Sequence, residues 1–303
     1  MSDIPGKIWG VVRRYKVVIG GMIIVLMLLG GLIAYSGIWP PIFVVESASM
    51  QHSDTESDFG IIDTGDLVVV QATGGDHVRT YVECYPDGHR SFGDFGDVII
   101  YERYGRSEYT PIIHRAMLRL EFNNTALSFD IPSLALLPAE KWSNGPVENG
   151  RWWNLSSYVE IYDIGYRSAL LRLDLADLLS YYDAQGLDHG GIITMGDHNV
   201  VKMNGDCVGI YDQSTTNICR EPIMDGWIVG EANLEIPWLG LIKLWVNGNM
   251  PSNTPENSKT GLMVTLAVLI VVPLAIDLTG VVLKKKGIDP WARIKELMRR
   301  KKE

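Results

Sequence analysis

The sequence predicts a mainly β, antiparallel domain with an α-containing insertion, flanked by two transmembrane helices. Three observations predict it. Two long apolar runs stand near the ends of the 303-residue chain, basic residues border the outer side of each, and short aliphatic runs alternate with Gly/Asp turns between them.

Residues 1–16 form a basic tail, in which Lys7, Arg13, Arg14 and Lys16 against Asp3 give a net charge of +3. Residues 17–35 are then 19 consecutive uncharged, mostly aliphatic residues, close to the roughly 20 that a helix needs to cross about 30 Å of hydrocarbon. The span is placed at 17–36. A cleavable signal peptide is the competing reading, because Ala34-Tyr35-Ser36 imitates a small-x-small cleavage site. The run is longer than the roughly 7–15 residues of a signal core, and Trp39 follows where an interfacial aromatic belongs. A second run covers 261–283, broken only by Pro273 and Asp277, and Lys284, Lys285 and Lys286 follow at once. Asp277 lies about two helical turns from those lysines, near the membrane interface. Residues 284–303 are a second basic tail; counted from Leu283, the C-terminal end carries +6.

Lys and Arg flank both outer ends, so the positive-inside rule puts both termini in the cytoplasm and residues 37–260 outside it, with the chain in the cell membrane. Removing the +3 and +6 of the two ends and the −1 of Asp277 from the overall −9 leaves −17 for residues 17–276. A field of that sign excludes a general nucleic-acid binder. Cys84, Cys207 and Cys219 all fall in the exported stretch; their spacing admits a Cys207–Cys219 disulfide and matches no zinc motif. The sequons at Asn123 and Asn154 are compatible with export.

Within residues 37–260, Ile61-Ile62, Leu67-Val68-Val69-Val70, Tyr81-Val82 and Val98-Ile99-Ile100-Tyr101 read as strands between Gly/Asp turns, and Pro111 to Met117 as another. The texture changes over about 123–188, the insertion. A Trp/Asn/Gly-rich stretch there is followed by a helical period through Leu171, Leu175, Leu178 and Tyr182. That helix carries Asp174, Asp177 and Asp183 on its polar side, where a membrane-surface helix would carry Lys or Arg, so it is expected to pack on the β domain. Strands resume at residues 191–194 and 227–229.

His114 stands inside the apolar run Ile112-Ile113-His114-Arg115-Ala116. A lone strand histidine is usually structural; a nearby nucleophile and acid would change that. Ser49, in Glu46-Ser47-Ala48-Ser49-Met50, is a candidate nucleophile, thirteen residues beyond Ser36 and so at most about 45 Å from the outer membrane face. Three acids follow strand-like runs: Asp197, Asp206 and Asp212.

These blocks resemble, in order, the archaeal and endoplasmic-reticulum type of type I signal peptidase, a membrane-bound serine endopeptidase. Ser47-Ala48-Ser49-Met50 is similar to its Ser-Gly-Ser-Met box, Gly65-Asp66-Leu67-Val68 and Gly96-Asp97-Val98-Ile99 to its strand openings, and Ile113-His114-Arg115 to its base-bearing block. Gly196-Asp197-His198-Asn199 resembles its Gly-Asp-Asn-Asn box, and Gly230-Glu231-Ala232 with Ile236-Pro237-Trp238-Leu239-Gly240 its closing segment. Ala48 and His198 depart from the pattern. The second family aspartate has no counterpart at Met203, which leaves Asp206 or, in the better-matching context before Gln213, Asp212. The resemblance implies a signal-peptidase-like β fold and removal of signal peptides after small residues. It makes Ser49 the nucleophile, His114 the base and Asp212 the orienting acid, with Asp197 a second acid of the site. Ser47 is an expected oxyanion donor and Met50 an expected substrate contact.

The four lysines at 141, 202, 243 and 259 lie in none of the matching blocks, which favours histidine over a lysine base. No metal and no organic cofactor is expected. The implied partners are preproteins bearing signal peptides, the lipid bilayer and the protein-export channel, with no nucleic acid. The rival reading is a non-catalytic membrane-anchored β module that binds a surface partner through the insertion. A lipid or ester hydrolase would want a Gly-x-Ser-x-Gly elbow, which is absent.

Overall fold

The computed structural model describes residues 16–214 and 218–286, so almost all of both predicted basic tails lies outside the described residues. Helix α1 (Lys16–Ser36) leads into strands β1 (Ile42–Val44) and β2 (Leu67–Gln71), helix α2 (Tyr81–Cys84), and the hairpin of β3 (Arg90–Ser91) and β4 (Asp94–Phe95). Strands β5 (Val98–Tyr101), β6 (Ile112–Asn123), β7 (Ser128–Asp130), β8 (Trp142–Asn144), β9 (Tyr158–Ile164) and β10 (Ala169–Asp174) precede helix α3 (Leu175–Gln185). The chain continues through β11 (Gly191–Met195), β12 (Val200–Met203), β13 (Asp206–Gly209), β14 (Ile228–Ile236), α4 (Leu241–Val246) and α5 (Glu256–Lys285).

The main sheet has the order β1-β2-β14-β5-β6-β11, with β7 also on β6, and every pairing in it is antiparallel. The Val/Ile runs read from sequence at residues 67–70, 98–101 and 112–117 are interior strands of it, and that at 191–194 is the edge strand β11. They are buried on both faces, which is why they read as continuous apolar runs. Late strand β14 enters between β2 and β5 and ties the closing segment to the first strands.

A second sheet has the order β12-β13-β10-β9-β8. Residues 123–188 supply its strands β8, β9 and β10, and the parallel β10–β13 pairing joins them to β12 and β13 from beyond residue 188. The largest core lies where the two sheets meet, with Met117, Leu120, Ile193 and Met195 against Val159, Ile161, Leu171 and Leu173. Leu175, Leu178 and Tyr182 of α3 join that core, so the helix packs on β structure as its acidic polar side predicts.

Three local expectations change. The helix starts at Leu175 rather than near Leu171, because residues 169–174 alternate buried and open as a strand does, and the Asp174 carboxylate accepts the Asp177 N–H as a cap. Tyr81-Val82 is helical: Thr80 Oγ1 accepts the Glu83 N–H while the Glu83 carboxylate accepts the Thr80 N–H, a capping box that outweighs β propensity. Ile61-Ile62 lies in a loop, and the full burial of Ile62 in a core explains its apolarity without a strand. The Cys207–Cys219 bridge does not form. Cys207 borders the inter-sheet core and Cys219 sits in a separate cluster with Ile99 and Tyr101, both thiols free.

Glu256–Leu283 is a helix long and apolar enough to cross a membrane and is not buried in the protein; Gly20–Ser36 is a shorter apolar helix. The foot of α5 is anchored: Asn257 Nδ2 donates to Ser57 O at 2.9 Å, and Trp238 Nε1 donates to Ser57 Oγ at 3.0 Å. Beside it lies an acidic cluster. Burial pushes the carboxyls of Asp63 to about 6, Asp66 to about 7 and Glu235 to about 7. Acids raised in the folded state stabilise it fully below their ordinary range, and that stabilisation is lost as pH rises through 6 to 7. The melting temperature of the wild type is therefore expected to fall between about pH 5 and pH 8. Glu235→Gln, which keeps the acceptor for the Gly60 N–H, flattens that slope. Differential scanning calorimetry across the range checks this; equal slopes would remove Glu235 from the cause.

Candidate functional site

The central strands place three polar side chains on one face. In the register of β5, β6 and β11, His114 lies opposite Ile99, two residues from Tyr101, while Thr194 lies opposite Ala116, two residues from His114. Side chains two apart on a strand share a face, so Tyr101, His114 and Thr194 converge. Asp212, at the start of a single helical turn after β13, comes beneath them. One oxygen of its carboxylate meets all three: His114 Nδ1 at 2.6 Å, the Tyr101 hydroxyl at 2.7 Å and Thr194 Oγ1 at 2.6 Å. Gln213 locks the threonine, accepting its N–H at 3.1 Å and donating to its hydroxyl at 3.3 Å.

His114 is 3% exposed and Asp212 fully buried. A carboxylate can only accept, so the His114 proton sits on Nδ1 and the lone pair on Nε2 faces away from the acid. Burial, and then the charge of Asp212, push the Tyr101 hydroxyl well above its ordinary value and keep it a donor.

Ser49 approaches from the loop after β1. Its carbonyl accepts the His198 N–H at 2.8 Å, and Gln51, two residues on, is held through its side chain by Thr64. A cavity of about 200 Å³ is lined by Val44, Ser47, Ser49, Met50, Ile113 and His114. Gly196 marks how closely nucleophile loop and imidazole approach: a Cβ there would lie 2.5 Å from Ser49 O and 2.9 Å from His114 Nε2. Among the described residues the Ser49 hydroxyl bonds to Ser47 Oγ at 3.1 Å and makes no hydrogen bond to His114.

Arg115, the next residue on β6, points to the other face. It is 1% exposed and grips Asp197 with two bonds, Nε to Oδ1 at 2.8 Å and Nη2 to Oδ2 at 2.6 Å. Its remaining donors reach the carbonyls of Ser91, Phe92, Asp94, Phe95 and Gly96. Burial alone would raise the Asp197 carboxyl, but the Arg115 charge and hydrogen bonds, with help from His52, hold it below its ordinary value.

Of the residues singled out in the sequence, Ser49, His114 and Asp212 are thus brought together. Asp197 faces Arg115 rather than the imidazole, and Asp206 is exposed on β13 opposite Met203. Ser47 is exposed beside Ser49, while Met50, 1% exposed, is a core residue that also forms part of the cavity wall. Tyr101, Thr194, Gln213, Arg115 and His52 were not among the candidates. Same-face spacing on adjacent strands would point to the first two, but only once the strand order is known. Among the described residues, no group of three or more His, Cys, Asp or Glu side chains is placed to hold a metal ion. Comparison with known proteins finds no matching family model and no matching curated relative.

Proposed function

We propose that the chain is a membrane-bound serine endopeptidase that removes signal peptides from exported preproteins. One observation carries the reading: His114 is fixed by Asp212 through Nδ1, and its side chain and Ser49 line the same small cavity. In the proposed step Nε2 takes the Ser49 proton as Oγ bonds the scissile carbonyl carbon. The same proton passes to the leaving amine as the C–N bond breaks, and a water then releases the acyl group by the same route. The Ser49 N–H and the Ser47 hydroxyl are the proposed donors to the oxyanion. A cavity of about 200 Å³ walled by Val44, Met50 and Ile113 suits small apolar side chains at the cleaved position.

The apolar surfaces of both terminal helices support a membrane setting, with Leu28 70% and Leu278 64% exposed. In the proposed topology both termini are cytoplasmic and the site lies outside, beside the bilayer and in reach of the export channel. That location turns an encounter with a membrane-held signal peptide into a local event.

The test is incubation of a preprotein bearing a small-x-small site with the detergent-purified chain, reading the new N-terminus by mass spectrometry. Cleavage after the small residue, absent with Ser49→Ala, is the expected result. A folded wild type that leaves the preprotein intact would move the reading to a membrane-anchored binding module, which the Ser49–Ser47 bond favours. Gly196→Ala supplies a finer check: its methyl must push Ser49 or His114 aside. A displacement of that kind lowers kcat by about 100-fold, and because the clash is with a backbone oxygen the unfolding midpoint falls as well.

A further inference from the structure

We infer that the second sheet holds the nucleophile's loop in place through a clamp formed by Tyr166 and His198, which makes both positioning residues for the reaction. The turn between β9 and β10 carries Tyr166 to the loop that follows Ser49. Its ring stacks on His52 with centroids 4.3 Å apart and planes 13° from parallel, and its hydroxyl lies 2.9 Å from His198 Nδ1.

His198 grips the same loop at three points. Its backbone N–H donates to Ser49 O at 2.8 Å, Nδ1 lies 3.0 Å from Gln51 O, and Nε2 lies 2.8 Å from Asp54 Oδ1. His52 adds a fourth restraint, with Nε2 3.0 Å from Asp197 Oδ2. Arg167 stands behind, 3.5 Å from His198 Nδ1. With its proton on Nε2 the His198 ring donates to Asp54 and accepts from Tyr166; a proton on Nδ1 turns that nitrogen toward Gln51 O. In either form the ring ties residues 51–54 to the second sheet.

The physical consequence follows from where these restraints sit. A hydroxyl that must turn from Ser47 to His114 depends on a backbone that does not drift, and between the backbone-paired Val45 and Asp66 the loop contains no strand among the described residues. Burial fixes Met50 and Gln51 but not the stretch that follows, since residues 54–56 are exposed. None of the clamp's side chains lines the Ser49 cavity, so its effect passes through the loop. The kinetic consequence rests on the serine–histidine reading proposed above; the restraint on the loop does not.

The experiment uses the full-length chain in detergent, with His198→Ala, His198→Asn and Tyr166→Phe. Hydrogen–deuterium exchange of residues 49–54 is expected to speed up by about tenfold in His198→Ala, the factor that corresponds to one lost hydrogen bond. Tyr166→Phe, which keeps the stacking and loses the hydroxyl, is expected to show a smaller increase. With a soluble peptide carrying a small-x-small site, kcat falls about tenfold in His198→Ala while KM stays put, and His198→Asn, whose amide can still reach Gln51 O, recovers part of it. Adding Tyr166→Phe to His198→Ala costs nothing more, because the two share one bond. Unchanged exchange in folded His198→Ala and Tyr166→Phe overturns the clamp. A wild type that cleaves nothing but shows the exchange pattern overturns the peptidase reading and keeps the clamp, whereas altered exchange with unchanged kcat removes the positioning role.

Discussion

His114→Ala should lower the cleavage rate by about 10⁴-fold, the upper range for loss of a general base, while Asp212→Asn should lower it by only about 10- to 100-fold. The difference comes from the hydrogen bonds around the carboxylate. All three donors meet Asp212 Oδ2, and Oδ1 has no partner among the described residues. An asparagine can point its amide nitrogen to the empty side and keep a carbonyl oxygen for His114, Tyr101 and Thr194. The Nδ1 tautomer then survives, and what is lost is the negative charge that stabilises the imidazolium, the worth of a charge-assisted hydrogen bond. Asp212→Ala is the contrasting case: it leaves Tyr101 and Thr194 hydroxyls buried without their shared acceptor, and should cost stability as well as rate. Steady-state cleavage of a peptide bearing a small-x-small site, with circular dichroism to confirm folding, separates these outcomes. A His114→Ala protein within tenfold of wild type would remove histidine from the chemistry.

The same acid illustrates what a linear sequence reveals and what it hides. Ser49 and His114 are legible locally, one in a charge-poor hydroxyl stretch and the other as the one histidine of an apolar strand. The choice among Asp197, Asp206 and Asp212 is not, since all three follow strand-like runs. Which of them meets His114 depends on register: Ile99 opposite His114 and Ala116 opposite Thr194 put the polar row above Asp212.

The fold divides the same way. Strands β2, β5, β6 and β11 of the main sheet announce themselves as apolar runs, whereas Tyr158–Ile164 mixes Glu, Asp and Tyr with its aliphatic residues because its outer side is partly open. Its sheet is completed by strands some forty residues later, and the parallel pair β10–β13 joins segments whose link no local pattern records. Tyr81-Val82 failed for a different reason. Two β-prone residues lie inside a helix set by Thr80 and Glu83, so a capping pair three residues apart decided the conformation.

Asp197→Ala should destabilise the fold by about 3–5 kcal/mol, since it leaves the Arg115 guanidinium charged, buried and unpaired. The usual remedy for a buried ion pair, replacing both partners with apolar residues, should fail here. Arg115 also donates to five carbonyls from Ser91 to Gly96, and an Arg115→Met, Asp197→Leu double variant orphans them inside the protein. The double variant is therefore expected to remain well below wild type in urea unfolding; full recovery would reduce Arg115 to a charge that needs a counterion. Acid supplies an independent check. The Asp197 carboxyl lies below its ordinary 3.8 when folded. Its stabilisation is present above that value and is lost as pH falls through the lower folded one. The wild type should thus lose stability steeply below about pH 4, and a matched Asp197→Ala titration should lack that limb. Because Asp197 also holds His52, and its neighbour His198 donates its N–H to the Ser49 carbonyl, the pair that stabilises the fold also fixes the approach of the nucleophile's loop to His114.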